Sequence, residues 1–230
     1  MNLRALLTQV KLFYYRLRGR SVEKTFSDVY EKNKWGGAQG QFYSGAGSDV
    51  EKLGNYIETI REFIKKTGVK SLVDVGCGDF RVGQAIIEGL NVRYTGVDVV
   101  PKLIEHHNKT YANDKINFLC LNAAAEPLPP ADLCHIRQVL QHLSNEQVGS
   151  ILKKLSHYKY AIITEHVPTD ARVKPNVDMP PSSGTRLARN SGVFVEHPPF
   201  NLRAETIYEL RWDDHYPAVI RASLIRLGNQ

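Results

Sequence analysis

With 230 residues, 42% of them hydrophobic, the chain can fill one good-sized core, read as a single domain with a decorated amino-terminal end. No apolar run approaches the roughly eighteen residues that a membrane helix needs, and no Cys-x-x-Cys pair supports a zinc site, so no metal is expected. A net charge of +6 and a pI near 9.2 point to an anionic partner: nucleic acid, a membrane surface, or a nucleotide- or phosphate-linked substrate.

In chain order, residues 1–20 set Leu3, Leu6, Leu7, Val10, Phe13, Tyr14 and Leu17 on one helical face, with Arg4, Lys11, Arg16, Arg18 and Arg20 filling the rest. Lys11 interrupts the apolar region and no small-residue cleavage site follows, so the stretch does not read as a convincing signal peptide. A basic amphipathic helix of this kind either makes peripheral contact with an anionic membrane face or packs on the domain or a second subunit. Residues 21–50 hold Phe26, Tyr30, Trp35-Gly36-Gly37 and Ser44-Gly45-Ala46-Gly47-Ser48, which suit either a segment closing over a ligand or a plain connection. Residues 1–50 thus read as helix and cap, and 51–230 as the ligand-binding domain. Val50–Lys66 is expected as a helix on the spacing of Leu53, Ile57, Ile60 and Ile64.

Ser71–Val75 reads as a buried strand that breaks at Gly76-x-Gly78, followed by a helix through Val82, Ala85, Ile86 and Ile87. Glycines at such a turn let backbone approach a ligand closely, and the helix start offers free N–H groups. A dinucleotide fingerprint places its third glycine three residues after the second; that place holds Arg81, which disfavours an NAD-dependent enzyme. Tyr94–Asp98 is the next strand, and Asp98 lies about twenty residues past the turn, where an acid can accept from ribose hydroxyls. A helix over Leu103–Tyr111 follows, with Pro101 in its first turn. Strands are expected at Ile116–Asn122, Asp132–Ile136 and Tyr160–Thr164, with Glu165-His166 at the last tip. Ser144 and Gln147 form a capping box for a helix over Asn145–Leu155.

The three cysteines, Cys77, Cys120 and Cys134, fall in or beside these central strands. An odd, interior set fits buried thiols in a reducing, cytoplasmic setting better than disulfides. The alternation of strands and helices argues for an α/β protein with a parallel sheet covered on both faces. Ligands bind outside the carboxyl ends of such strands, which gathers Gly76, Gly78, Asp79, Asp98, Asn122, Arg137, Gln138, His142, Glu165 and His166. Val167–Pro199 then loses all pattern, and a loop of that length is either functional, here over the active site, or disordered. Thr206–Arg211 and Ala218–Leu227 close the chain as two strands around an Asp213-Asp214-His215 turn.

Asp74-x-Gly76-x-Gly78 resembles motif I of the class I S-adenosylmethionine (SAM)-dependent methyltransferases, and the element order over about Val50–Leu227 is similar to theirs. The resemblance implies a Rossmann-like fold: a mostly parallel seven-stranded sheet with an antiparallel C-terminal hairpin strand and helices on both faces. Further phrases are similar to a poorly characterised bacterial and viral family linked to glycan O-methylation. They include Asn33-x-Trp35-Gly36, Val75-Gly76-Cys77-Gly78-Asp79-Phe80, Arg137-x-Val139-Leu140-Gln141-His142-Leu143-Ser144 and Pro198-Pro199-Phe200-Asn201. That family implies a hydroxyl acceptor on a sugar or other small molecule. It usually has an acid where Gln138 stands, and often Asp where Asn122 stands. By the same resemblance Gly76 and Gly78, with Asp74 and Asp79 beside them, meet the methionyl part of SAM. Asp98 binds the ribose with Val99 next to it, Asn122 and Ala123 border the adenine, Arg137 completes the pocket, and Trp35 and Ser44 close it.

A sugar hydroxyl is a weak acid, so methyl transfer to it calls for a positioned base. His142 and His166 are the candidates, an unperturbed histidine titrating near pH 6.5, with Glu165 as orienting partner or alternate base. Either histidine is equally readable as a backbone-satisfying residue at the start of a helix or loop. His197-Pro198-Pro199-Phe200 resembles the signature of base-amine methyltransferases, but it follows the fifth strand rather than the fourth. RNA or protein acceptors remain the alternative within methyl transfer, although no RNA-binding module is visible and the basic residues are scattered. A non-catalytic SAM-binding scaffold is the alternative outside it, motivated by Gln138.

Overall fold

The computed structural model describes residues 21–212 and 215–227; the helix expected over residues 1–20 and the Asp213-Asp214 part of the closing turn lie outside the described residues. Strands β1 (Ser71–Val75), β2 (Arg93–Asp98), β3 (Ile116–Cys120), β4 (Leu133–Arg137), β5 (Tyr160–Pro168), β6 (Glu205–Arg211) and β7 (Ala218–Arg226) form one sheet. Their order is β3-β2-β1-β4-β5-β7-β6. Strands β1 to β5 pair in parallel, and β7 runs antiparallel to both of its neighbours. The order reverses between β1 and β4, and a crevice opens there beyond the carboxyl ends of the strands.

Successive side chains along each strand go to opposite faces, which gives the sheet two apolar layers. Val73, Val75, Cys134, Ile136, Ala161 and Ile163 pack with helix α1 (Val22–Glu31) and helix α5 (Asn145–Leu152). Leu72, Leu133 and Ile162 pack with helix α2 (Tyr56–Thr67) and helix α3 (Arg81–Ile87). Helix α4 (Pro101–Thr110) contributes Leu103 to the first layer and Ile104 to the second. Among the described residues no helix is long and apolar enough to cross a membrane.

Local chemistry sets the boundaries. The Ser21 side chain caps α1 by accepting from Lys24 N, and Ser144 and Gln147 form the capping box of α5. The helix expected from Val50 begins only at Tyr56, because Gly54 takes φ 56° and leaves Val50–Lys52 as a separate 3₁₀ turn. Left-handed Gly68 ends it, returning its N–H to Ile64 O. The α5 helix stops at Leu152 and tightens into a 3₁₀ turn over Lys153–His157. Strand β3 ends at Cys120, and as an edge strand it leaves that thiol exposed, correcting the expectation of three interior cysteines; Cys77 and Cys134 are buried. Strand β5 runs four residues past the expected Thr164, because β7 pairs with it through Pro168.

The long loop after β5 is ordered by buried polar side chains rather than by helix or strand. Arg186 donates to the carbonyls of Val177, Leu140, Gln141 and Leu143 at 2.6–3.0 Å and to Asn145 Oδ1 at 3.1 Å. Asn176 Nδ2 donates to Phe194 O at 2.9 Å and Pro198 O at 2.8 Å, and its Oδ1 accepts from Phe194 N. A loop with no periodic pattern is thereby held against the end of β4.

Candidate active site

At the β1/β4 switch the strand tips enclose a cavity of about 330 Å³, lined from the sheet, from the amino-terminal segment and from the long loop. Its floor is the turn after β1. Gly76 and Gly78 have φ 71° and 53°, and a Cβ on either would collide, with Val139 and with Ser44 respectively. Gly76 N and Cys77 N both donate to Val97 O, tying the turn to β2. Gly78 is gripped on both sides. Its N–H donates to Asp98 Oδ2 at 3.2 Å, and its carbonyl accepts from His107 Nε2 at 2.6 Å. Asp98 Oδ1 accepts from Val100 N, and burial pushes this carboxyl up to about 6 against the opposing pull of its N–H donors.

Val99, Asn122 and Ala123 border the opening beside Asp98. Asn122 Oδ1 caps its own turn by accepting from Ala124 N, and Lys154 Nζ fixes Ala123 O from below. The roof is tied down from a distance. Trp35 Nε1 donates to Ser183 O at 3.0 Å, and Ser44 N donates to Asp79 Oδ2 at 2.9 Å.

Four of the expected site residues have their polar atoms engaged within the protein. Asp74 lines the cavity, and both of its oxygens are engaged inside the sheet, with Tyr94 Oη and His135 Nδ1 at 2.8 Å. Asp79 also lines the cavity, and it holds Ser44 N, Ser48 Oγ and the Arg81 guanidinium, clasping the amino-terminal segment to the glycine turn. Glu165 does not line the cavity. Its carboxylate accepts from Leu140 N and Gln141 N at 2.9 and 3.0 Å, 2% exposed, and burial raises it to about 7. His142 does line the cleft, but burial pulls it down to about 4. Gly184 O can only accept, so the His142 proton sits on Nδ1, and Nε2 accepts from Gln141 Nε2 at 3.3 Å.

His166 lines the cavity, its Nε2–H donating to Trp212 O at 2.7 Å. Gln138 takes φ 54°, with its Oε1 against Gly47 and accepting from Arg137 Nη1 at 3.2 Å. Arg137 also lines the cavity, stacked on the Tyr56 ring at 5.1 Å. Sequence reasoning missed Ser183, Thr185, Gln141 and Trp212 as lining residues, and it placed Tyr30 only in a segment suited to closing over a ligand. A signal existed for a buried network: His135 interrupts an otherwise apolar strand, and it bonds Asp74 on one side and Tyr56 Oη on the other.

Residues 72–158 match the model of a family described as a methyltransferase domain. No curated protein matches the chain in sequence. Among solved structures, human N-acetylserotonin methyltransferase in complex with SAM superposes with a TM-score of 0.58 at 16% identity, over 94% of this chain and 62% of that one. This chain therefore spans about three fifths of that protein. The N-methyltransferase NodS from Bradyrhizobium japonicum WM9 gives 0.55 at 12% identity, covering 78% of this chain and 98% of its own. The N-terminal domain of EvdMO1, crystallised in the presence of S-adenosylhomocysteine (SAH) and D-fucose, gives 0.53 at 10% identity, over 76% and 84%. The seven-stranded sheet, six strands one way and β7 the other, has the Rossmann-like fold of the class I methyltransferases, and the stretch that matches the methyltransferase-domain model, residues 72–158, runs through β1 to β4.

Proposed function

We propose that the chain is a SAM-dependent methyltransferase that acts on an acceptor hydroxyl, carried by a sugar or another small molecule. The observation that supports this best is the joining of a Cβ-free turn at Gly76 and Gly78 to the Asp98 carboxylate at the switch point. In this reading Asp98, with Val99, takes the ribose hydroxyls. Gly76 and Gly78 meet the methionyl part, Asn122 and Ala123 border the adenine, and Trp35 and Ser44 close the roof. Bound there, SAM supplies an electrophilic methyl on a sulfonium that leaves as a neutral thioether.

The chain's own residues align the acceptor and take its proton. His166 is the base in this reading. It lines the cleft, whereas Glu165 does not, and His142 is held neutral with its basicity depressed. The sugar acceptor draws on the phrases shared with the glycan-linked family and on the EvdMO1 neighbour crystallised with D-fucose.

Calorimetry with SAH and with NAD, side by side, tests the donor: SAH binds and NAD does not, and the reverse result overturns the reading. Methyl-labelled SAM incubated with fractionated cell extract tests the acceptor. Label is expected in glycan, nucleotide-sugar or small-molecule fractions. Label in RNA or protein moves the acceptor class, and SAH binding without any transfer leaves a donor-binding scaffold.

A further inference from the structure

One cationic group in the cleft is used neither by the sheet nor by the donor. Arg137 ends β4 and is register-paired with Thr164 of β5. It lies on the sheet face covered by α2, where Tyr56 Oη bonds both His135 and Thr164. Its Nη1 donates to Gln138 Oε1, and the flat of the guanidinium rests on the Tyr56 ring. The Nε and Nη2 atoms are buried and have no hydrogen-bond partner. Among the described residues no carboxylate lies within ion-pairing distance of this guanidinium, although Arg81, Arg172, Arg221 and Arg226 all have one.

Nε and Nη2 form a single edge of the guanidinium, with two N–H bonds pointing the same way. That edge matches two oxygens of one carboxylate or phosphate. A buried arginine kept for structure fills such donors with carbonyls, as Arg186 does with all of its nitrogens. Burial pulls the Arg137 guanidinium below its ordinary range, consistent with a cation that lacks a counter-charge.

We propose that the Nε–Nη2 edge of Arg137 receives an oxyanion, phosphate or carboxylate, carried by the acceptor substrate. This rests on the donor reading above and reassigns Arg137 from donor to acceptor. The donor's marks run along β1, β2 and the end of β3, at Gly76, Gly78, Asp98 and Asn122. Arg137 stands on the other side of the switch, and its register partner Thr164 shares a strand face with His166, two residues further along β5. An anionic acceptor held at Arg137 would have its hydroxyl on the His166 side of the cleft. The overall charge of +6 favours the approach of such a substrate.

The test titrates inorganic phosphate, and separately acetate, into SAH-saturated protein by calorimetry, for wild type, Arg137→Met and Arg137→Lys. SAH affinity is measured for each, and circular dichroism checks the fold. Wild type is expected to bind at least one anion, and whether phosphate or acetate binds tighter names the group. Arg137→Met should weaken that binding tenfold or more while SAH affinity stays within about threefold. Arg137→Lys keeps the charge but loses the paired edge, and should weaken anion binding several-fold. No anion binding by wild type, or equal binding by all three proteins, overturns the proposal. A tenfold loss of SAH affinity in Arg137→Met also overturns it, because the donor's own carboxylate then occupies the edge. Wild type that ignores SAH removes the donor reading instead, and the anion titration is then judged by the same criterion on donor-free protein.

Discussion

Two arginines near the end of β4 have buried guanidinium nitrogens, and they differ in what those nitrogens meet. Arg186, 1% exposed, is the largest fully buried side chain among the described residues, and its guanidinium is closed by four carbonyls and one amide oxygen. It knots the long loop to the turn after β4, and that turn is braced from the other side by Glu165 accepting from Leu140 N and Gln141 N. Arg137 is hydrogen-bonded through Nη1 alone, and its Nε–Nη2 edge has no hydrogen-bond partner. The same chemical group therefore has two uses. Where the fold satisfies every donor the cation holds structure, and where an edge is left unmet inside a cleft the cation is kept for something that arrives.

Replacing each arginine is the sharpest way to break this comparison. Arg186→Met strands several buried carbonyls and should cost about 3–5 kcal/mol of stability by urea denaturation. A loss below about 1 kcal/mol would mean the knot is not structural. Next in size is an effect of pH. His142 is held near 4 against an ordinary 6.5, so the folded state binds fewer protons than the unfolded one. The stability His142 provides is present above pH 6.5 and lost as pH falls through 4, a swing of up to roughly 3 kcal/mol. Wild type should lose stability over that window more steeply than His142→Gln, and parallel pH profiles would refute the depressed imidazole. Glu165 runs the other way: its carboxyl is raised to about 7, so its contribution is present below 4.5 and fades as pH rises through 7.

Smaller effects bear on the donor side. Asp98→Ala should weaken SAH binding tenfold or more, about 1.4 kcal/mol, without altering the fold. Because the Asp98 carboxyl is raised to about 6, wild-type affinity for SAH should also fall as pH drops below 6, and a flat profile would remove Asp98 from the ribose. The smallest change is expected where the comparison is most pointed. Arg137→Met removes a desolvated, half-bonded charge and should shift stability by less than about 1 kcal/mol in either direction, measured beside Arg186→Met under the same conditions.

The parts of the site legible in the sequence are those built within a few residues. Gly76-x-Gly78, Asp98 and the Ser144–Gln147 box each carry their reason locally, in a turn, a strand end or a helix cap. The roof carries none. Ser183 reaches the site through the Trp35 indole, 148 residues away in sequence, and Thr185 comes with it. Glu165 and His166 looked equivalent because the apolar run ends at Thr164. Pairing with β7 carries β5 on to Pro168, and alternation then sends the two side chains to opposite faces. For the acids Asp74 and Asp79, which line the cavity as expected, the unread part has a related cause. Motif spacing fixes where an acid sits along the chain, and only tertiary partners decide which way its oxygens are claimed.

The chain has two tryptophans, and both border the same cavity. Trp35 sits in the roof, with its ring 5.2 Å from that of His142 and edge-on to Tyr30 at 5.5 Å, while Trp212 offers its carbonyl to His166. Neither indole is placed to report on the far surface or on the opposite edge of the sheet. The molecule therefore carries its own optical gauge: a change in native emission on adding a ligand reads occupancy of the crevice directly, with no label attached.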